Sequence, residues 1–167
     1  MSDLLAPPLL LAHARSIPRA GAILDLSAGD GDAALYLAQR GHAVDVVEPD
    51  AARREVLAGR ADELDLRVAV IDGHPWSVVP PRGRYAAVLG VGLLPTLSEA
   101  EVEALLGRLP SWVLDGGVVI LSSGDDGDAS STWQPDHIRA HFWGFEVLSG
   151  DAGPEDPVRD LVLRRTA

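Results

Sequence analysis

Residues 22–50 read AILDLSAGDGDAALYLAQRGHAVDVVEPD, and this stretch decides the fold. Residues 22–26 form a short apolar run, broken only by Asp25, of the kind that makes a buried strand. A glycine turn follows, Ser27-Ala28-Gly29-Asp30-Gly31-Asp32, and opens a helix over residues 33–39 that Gly41 closes. A second strand over 44–47 ends at Glu48, and Asp50 is placed to cap a helix over 51–58.

Working outward, the same alternation continues. Strands are expected over 66–71, 85–89 and 118–121, and an amphipathic helix over 98–109 with Ser98 and Glu101 at capping-box spacing. Near-continuous apolar strands alternating with helices predict a parallel sheet covered on both faces. After a short helix over 135–142, runs over 145–148 and 160–163 are separated only by a turn-rich stretch. No crossover helix fits between them, so they should pair antiparallel at the sheet edge.

In such a doubly wound sheet a ligand sits at the carboxyl ends of the strands, near the point where strand order reverses. Gly29 and Gly31 allow close backbone approach, and the helix N-terminus offers free N–H groups. Glu48, at the end of the second strand, can accept both hydroxyls of a ribose. Asp72, at the end of the third, is within reach of an adenine edge. Gly29, Gly31 and Ala34 also satisfy the dinucleotide fingerprint, so a nicotinamide dinucleotide is a competing ligand. Charge separates the two. A pyrophosphate would lie beside Asp30 and Asp32, whereas S-adenosylmethionine has no phosphate and carries a sulfonium and an ammonium. Asp25, in an otherwise apolar strand, suits that ammonium.

The run from Ile23 to Gly31, followed by Ala34-Leu35-Tyr36-Leu37-Ala38, resembles the first motif of class I S-adenosylmethionine-dependent methyltransferases. It is most similar to the compact tellurite-resistance and thiopurine-type group. Glu48, Asp72-Gly73, an Asp115-Gly116-Gly117 turn and the Gly144-Phe145-Glu146-Val147-Leu148 strand fall in the family's order over about residues 20–165. The resemblance implies one Rossmann-like domain over residues 1–167, with a seven-stranded sheet, mostly parallel, whose last strand is antiparallel. Residues 1–20 would be an N-terminal lid or helix segment. It implies S-adenosyl-L-methionine as cofactor, bound by Asp25, Ser27, Ala28, Gly29, Gly31, Glu48, Pro49, Asp72, Gly73 and Gly90. Leu93, Leu94 and Trp133 would meet a small-molecule methyl acceptor. The family usually has glycine where Ser27 stands. The segment Gly90-Val91-Gly92-Leu93-Leu94-Pro95 is bare of the aromatic, histidine or polar residues that many relatives place there. A non-catalytic, cofactor-binding relative therefore stays open beside the enzyme.

Composition excludes other chemistries. The 167 residues contain no cysteine and no lysine, which removes thiolate metal sites, disulfides, a Schiff-base lysine and a P-loop lysine. A net charge of −11 without a basic cluster argues against nucleic acid. The apolar opening has Asp3 and no basic residue before it, and two prolines interrupt it, so it does not read as a signal peptide; no run reaches membrane-spanning length. A cytoplasmic location is expected.

The remaining candidates have plainer readings. His137 and His141 stand at i, i+4, a metal-ligand spacing, but no third ligand follows, so solvated or capping histidines and no metal are expected. Asp125-Asp126-Gly127-Asp128 lacks the later glutamate of a calcium loop. Trp76 reads either as a stacking face for adenine or as a plug for its loop, with core packing favoured, and His13 and His74 are candidate general bases. Ser122, Ser123, Ser130 and Ser131 have no partners arranged for hydrolysis.

Overall fold

The computed structural model describes residues 6–123, 135–150 and 160–167. Seven strands form one sheet in the order β3-β2-β1-β4-β5-β7-β6. They are β1 (Ala22–Asp25), β2 (Val44–Val47), β3 (Val68–Ile71), β4 (Tyr85–Gly90), β5 (Val113–Ser122), β6 (Phe145–Ser149) and β7 (Asp160–Arg165). β1 pairs in parallel with β2 and β4, as do β2 with β3 and β4 with β5. β7 runs antiparallel to both β5 and β6. The Rossmann-like sheet and its antiparallel last strand are thus as the sequence implies. Strand order reverses between β1 and β4, which opens a crevice at their carboxyl ends.

Among the described residues five α-helices cover the faces: α1 (Pro8–His13), α2 (Asp32–Gln39), α3 (Ala51–Glu63), α4 (Glu99–Leu106) and α5 (Pro135–Ala140). One core cluster joins α1, α2 and α3 to the sheet through Leu10, Leu35, Leu37 and Leu57. The other joins α4 and α5 through Val102, Leu105, Leu106, Ile138 and Phe142. The sheet between them is fully buried along β4, in keeping with its unbroken apolar sequence.

Most boundaries shift by one or two residues at an end, and three differences from the sequence expectation are larger. α3 continues past residue 58 to Glu63, because Leu57 and Ala61 lie one turn apart on the buried face and Gly59 faces open space. The amphipathic run after Ser98 stops being α-helical at Leu106 and finishes as a separate 3₁₀ turn, Leu109–Trp112. Asp115-Gly116-Gly117 is no turn before β5 but part of it. Register passes from Tyr85–Val113 to Ala87–Val118, so residues 114–117 bulge out of the ladder. Both expected caps form. Asp50 accepts the Arg53 N–H at 2.9 Å, and Ser98 and Glu101 exchange the reciprocal bonds of a capping box.

Asp45 is a buried charge inside β2. Its Oδ2 accepts from the Tyr85 hydroxyl at 2.8 Å and from Arg84 at 3.1 Å, tying β2 to the start of β4. Burial, and then the hydrogen bond to Asp45, raise the Tyr85 phenol well above its ordinary value, so it remains a donor.

Candidate functional site

β1 ends at Asp25, and the chain then turns sharply through residues 27–31 into α2. Gly31 adopts φ +83°, and a Cβ there would meet Leu57 Cδ1 at 2.4 Å, so α3 packs directly on the bare turn. Only glycine meets both conditions. Ser27 is not among the described residues with positive φ, so the turn does not require glycine there. Its N–H and hydroxyl both donate to Asp25 Oδ1, at 3.0 and 3.3 Å. The serine therefore fixes the aspartate's carboxylate.

Asp25 is 1% exposed, and its Oδ2 is buried without a hydrogen-bond partner. Burial raises its pKa to about 6, against the lowering effect of the two Ser27 bonds. An unpaired buried carboxylate oxygen is costly unless a cation or donor meets it. Asp25 lines a lobe of about 210 Å³ together with Ser27, Ala28, Gly29, Asp32 and Pro7.

A second lobe, about 430 Å³, adjoins the first and shares Ser27, Ala28, Gly29 and Val91 with it. Glu48 and Pro49 line it from the end of β2. Glu48 is only 5% exposed, and its Oε1 accepts the Asp50 N–H at 2.8 Å. The opposite wall holds Trp76 and His74, whose rings stack 4.5 Å apart, with Leu93, Thr96 and Leu97. The loop bearing Val91 and Gly92 is held by β5, where the buried Ser122 hydroxyl accepts the Gly92 N–H at 2.9 Å. That bond gives Ser122 a positioning role.

The structure thus brings Asp25, Ser27, Ala28, Gly29, Glu48, Pro49 and Leu93 together around one cleft. Gly31 lies beneath the turn. Asp72 is not among the residues lining either lobe; it pairs at 2.9 Å with Arg54, which also donates to the Glu48 and Pro49 carbonyl oxygens, while Gly73 packs near Val78. Gly90 sits against Leu121 and Leu93, and Leu94 is buried in the core. Trp133 and residues 125–128 lie outside the described residues.

Sequence reasoning passed over Arg53, Val91, Thr96 and Leu97, all of which line the larger lobe. It also treated Asp32 as a bare charge. In fact Arg60, reaching from α3, pairs with Asp32 at 2.7 Å and donates to the Asp30 carbonyl oxygen. The (i, i+3/i+4) spacing of Arg53, Leu57 and Arg60 on α3 carried that signal, since those residues share a helix face.

With this geometry in view, the fold is that of the class I S-adenosylmethionine-dependent methyltransferases. The chain superimposes on TehB from Haemophilus influenzae with a TM-score of 0.75 and 15% identity, over 99% of this chain and 64% of TehB. A TehB-like S-adenosylmethionine-dependent methyltransferase from Corynebacterium glutamicum gives 0.69 and 18%, over 95% and 85%. The glycopeptide N-methyltransferase MtfA, solved with sinefungin, gives 0.68 and 16%, over 98% and 99%. No protein-family model and no curated protein sequence matches the chain.

Proposed function

We propose that this protein binds S-adenosyl-L-methionine in the two-lobed cleft and transfers its methyl group to a small molecule. The observation that carries the reading is the pair of buried carboxylates at the ends of adjacent strands, Asp25 in one lobe and Glu48 in the other. The unpartnered Asp25 Oδ2 is a receptor for an ammonium group, and the other oxygen is already held by Ser27. Glu48 keeps Oε2 for ribose hydroxyls while Oε1 holds the Asp50 N–H. Trp76 and His74 offer a flat aromatic wall for an adenine ring. Fold neighbours solved with S-adenosylhomocysteine, S-adenosylmethionine or sinefungin support the same ligand class.

When bound, the cofactor supplies an electrophilic methyl group on sulfur. The chain's part is to orient and to exclude water. The bare turn at Ala28 and Gly29 lets the ligand lie against backbone, and Leu93 and Leu97 make the acceptor side apolar. Among the described residues His74 is the one imidazole lining that lobe, and it is stacked on Trp76. This favours an acceptor nucleophile that attacks without strong base assistance, such as a thiol, over an alcohol.

Calorimetry with S-adenosylhomocysteine against NADH tests the ligand, with micromolar-range binding expected, roughly −7 to −8 kcal/mol. NADH binding without the sulfur nucleoside would sink the reading. Turnover of S-adenosylmethionine with a panel of thiols and phenols then tests transfer. Tight binding with no turnover on any acceptor would make this a cofactor-binding protein instead.

A further inference from the structure

Away from the cleft, two helices assemble three side chains that neither could gather by itself. α4 turns Val102, Leu105 and Leu106 into the core, and α5 with its following turn does the same with Ile138 and Phe142. That shared burial places Glu103 of α4 opposite His137 and His141. The His137 Nε2 meets Glu103 Oε1, and the His141 Nε2 lies 3.4 Å from Oε2. The two imidazoles meet edge to face, with centroids 5.7 Å apart at 67°, so the rings are not stacked on one another. One potential ligand atom from each of the three residues lies within 4.8 Å of the others.

We propose that Glu103, His137 and His141 form a site for one divalent transition-metal ion of the zinc class, which cross-links α4 to α5. Two imidazoles and one carboxylate are a donor set that zinc accepts, with a fourth position left to water. Magnesium and calcium prefer all-oxygen shells, so the two nitrogens select against them. Metal–ligand distances of 2.0–2.2 Å put neighbouring atoms of a tetrahedral shell about 3.3 Å apart, so small side-chain rotations bring these three atoms to fit. The side chains are 42%, 49% and 24% exposed for Glu103, His137 and His141, so an ion enters from solvent without opening the core. Coordination replaces the hydrogen bonds, with each Nε2 giving its lone pair to the ion. None of the three residues lines the cleft, so the ion fastens α5 and takes no part in methyl transfer.

The test is a calorimetric titration of the untagged, chelator-stripped chain with zinc chloride, repeated with cobalt(II) and read by its visible absorption. One equivalent per chain and a raised melting temperature are expected, with no response to magnesium or calcium. His137→Ala/His141→Ala should weaken zinc binding by at least about 10–100-fold, the loss that even outer partners of metal sites produce. Glu103→Gln, a half-exposed and nearly isosteric change, should do the same and gives the result independently of any folding defect in the double variant. His13→Ala/His74→Ala should leave the affinity unchanged. No zinc binding by the parent chain, or equal binding by Glu103→Gln, would overturn the site, whatever the cleft proves to bind.

Discussion

On one side of the β1/β4 switch point, Asp25 and Glu48 end their strands and line the cleft. On the other side, Glu103 of α4 meets His137 of α5 and His141 of the turn that follows it. The first group is placed by local sequence. Each residue follows a short apolar run, and the glycine turn lies between the two strands. The second group is placed by packing alone, since 34 residues separate Glu103 from His137. Chemistry at strand ends can therefore be read along the chain, whereas chemistry between helices depends on which faces the core has taken.

The largest expected effect falls on the strand-end side. Asp25→Asn removes the buried negative charge and should weaken S-adenosylhomocysteine binding by up to about two orders of magnitude, since a bond to a charged group contributes about 1.5–3 kcal/mol. The same change should alter pH dependence. Folding raises the Asp25 pKa from 3.8 to about 6, so the unfolded chain gives up this proton first as pH rises. Ligand-free stability should fall between about pH 4 and pH 6, by about 3 kcal/mol at the limit of two pKa units, and stay low above that window. Ligand affinity should rise over the same window as the carboxylate ionises. In Asp25→Asn both trends should vanish, and the apo variant should melt above the parent at pH 7. Melting and titration series from pH 4 to 8 check this, and an unchanged pH profile in the variant would break the assignment.

Glu48→Gln should weaken the same ligand by one to two orders of magnitude, because it deletes charge but keeps an acceptor. Glu48 is buried and holds the Asp50 N–H, so a structural cost of up to about 1 kcal/mol is also expected. Glu48→Ala should cost more stability than Glu48→Gln, and equal melting points would show that this bond contributes nothing.

Gly31→Ala tests whether the turn is set by backbone or by ligand. It forces a side chain into the left-handed region against Leu57, at a cost of about 2 kcal/mol. The apo melting temperature should drop by several degrees, and Leu57→Ala in the same chain should relieve part of the clash.

The smallest effect belongs to the opposite half. Ser98→Ala breaks the capping box of α4 and should cost about 1 kcal/mol, with no change in affinity for the cleft ligand. A large loss of affinity would mean that α4 helps shape the cleft through Thr96 and Leu97.

Much of the fold was legible because its signals are local. The strand at 44–47 was read to the residue, and both caps formed at the expected positions. The bulge at residues 114–117 was not legible, because Asp-Gly-Gly reads as a turn unless the pairing of β4 with β5 is known. Helix α3 ran long for a similar reason, since burial under Leu57 and Ala61 offset the weak helix preference of Gly59. In the site, Asp25 and Glu48 declared themselves as charges ending apolar strands. Asp72 sent the same local signal, yet it is paired with Arg54 and is not among the residues lining either lobe.

By itself the sequence determined the strand–turn–helix order, the glycine turn and the carboxylates at two strand ends, because apolar periodicity and backbone freedom are written residue by residue. Only the tertiary structure decided which charges stay bare. Arg60 neutralises Asp32, Arg54 takes Asp72, and Ser27 occupies one oxygen of Asp25 and leaves the other open. It also decided that Glu103 faces two histidines from α5 and the turn that follows it. Ion pairs and ligand clusters form across the packed faces of distant segments, and sequence spacing carries no record of that distance.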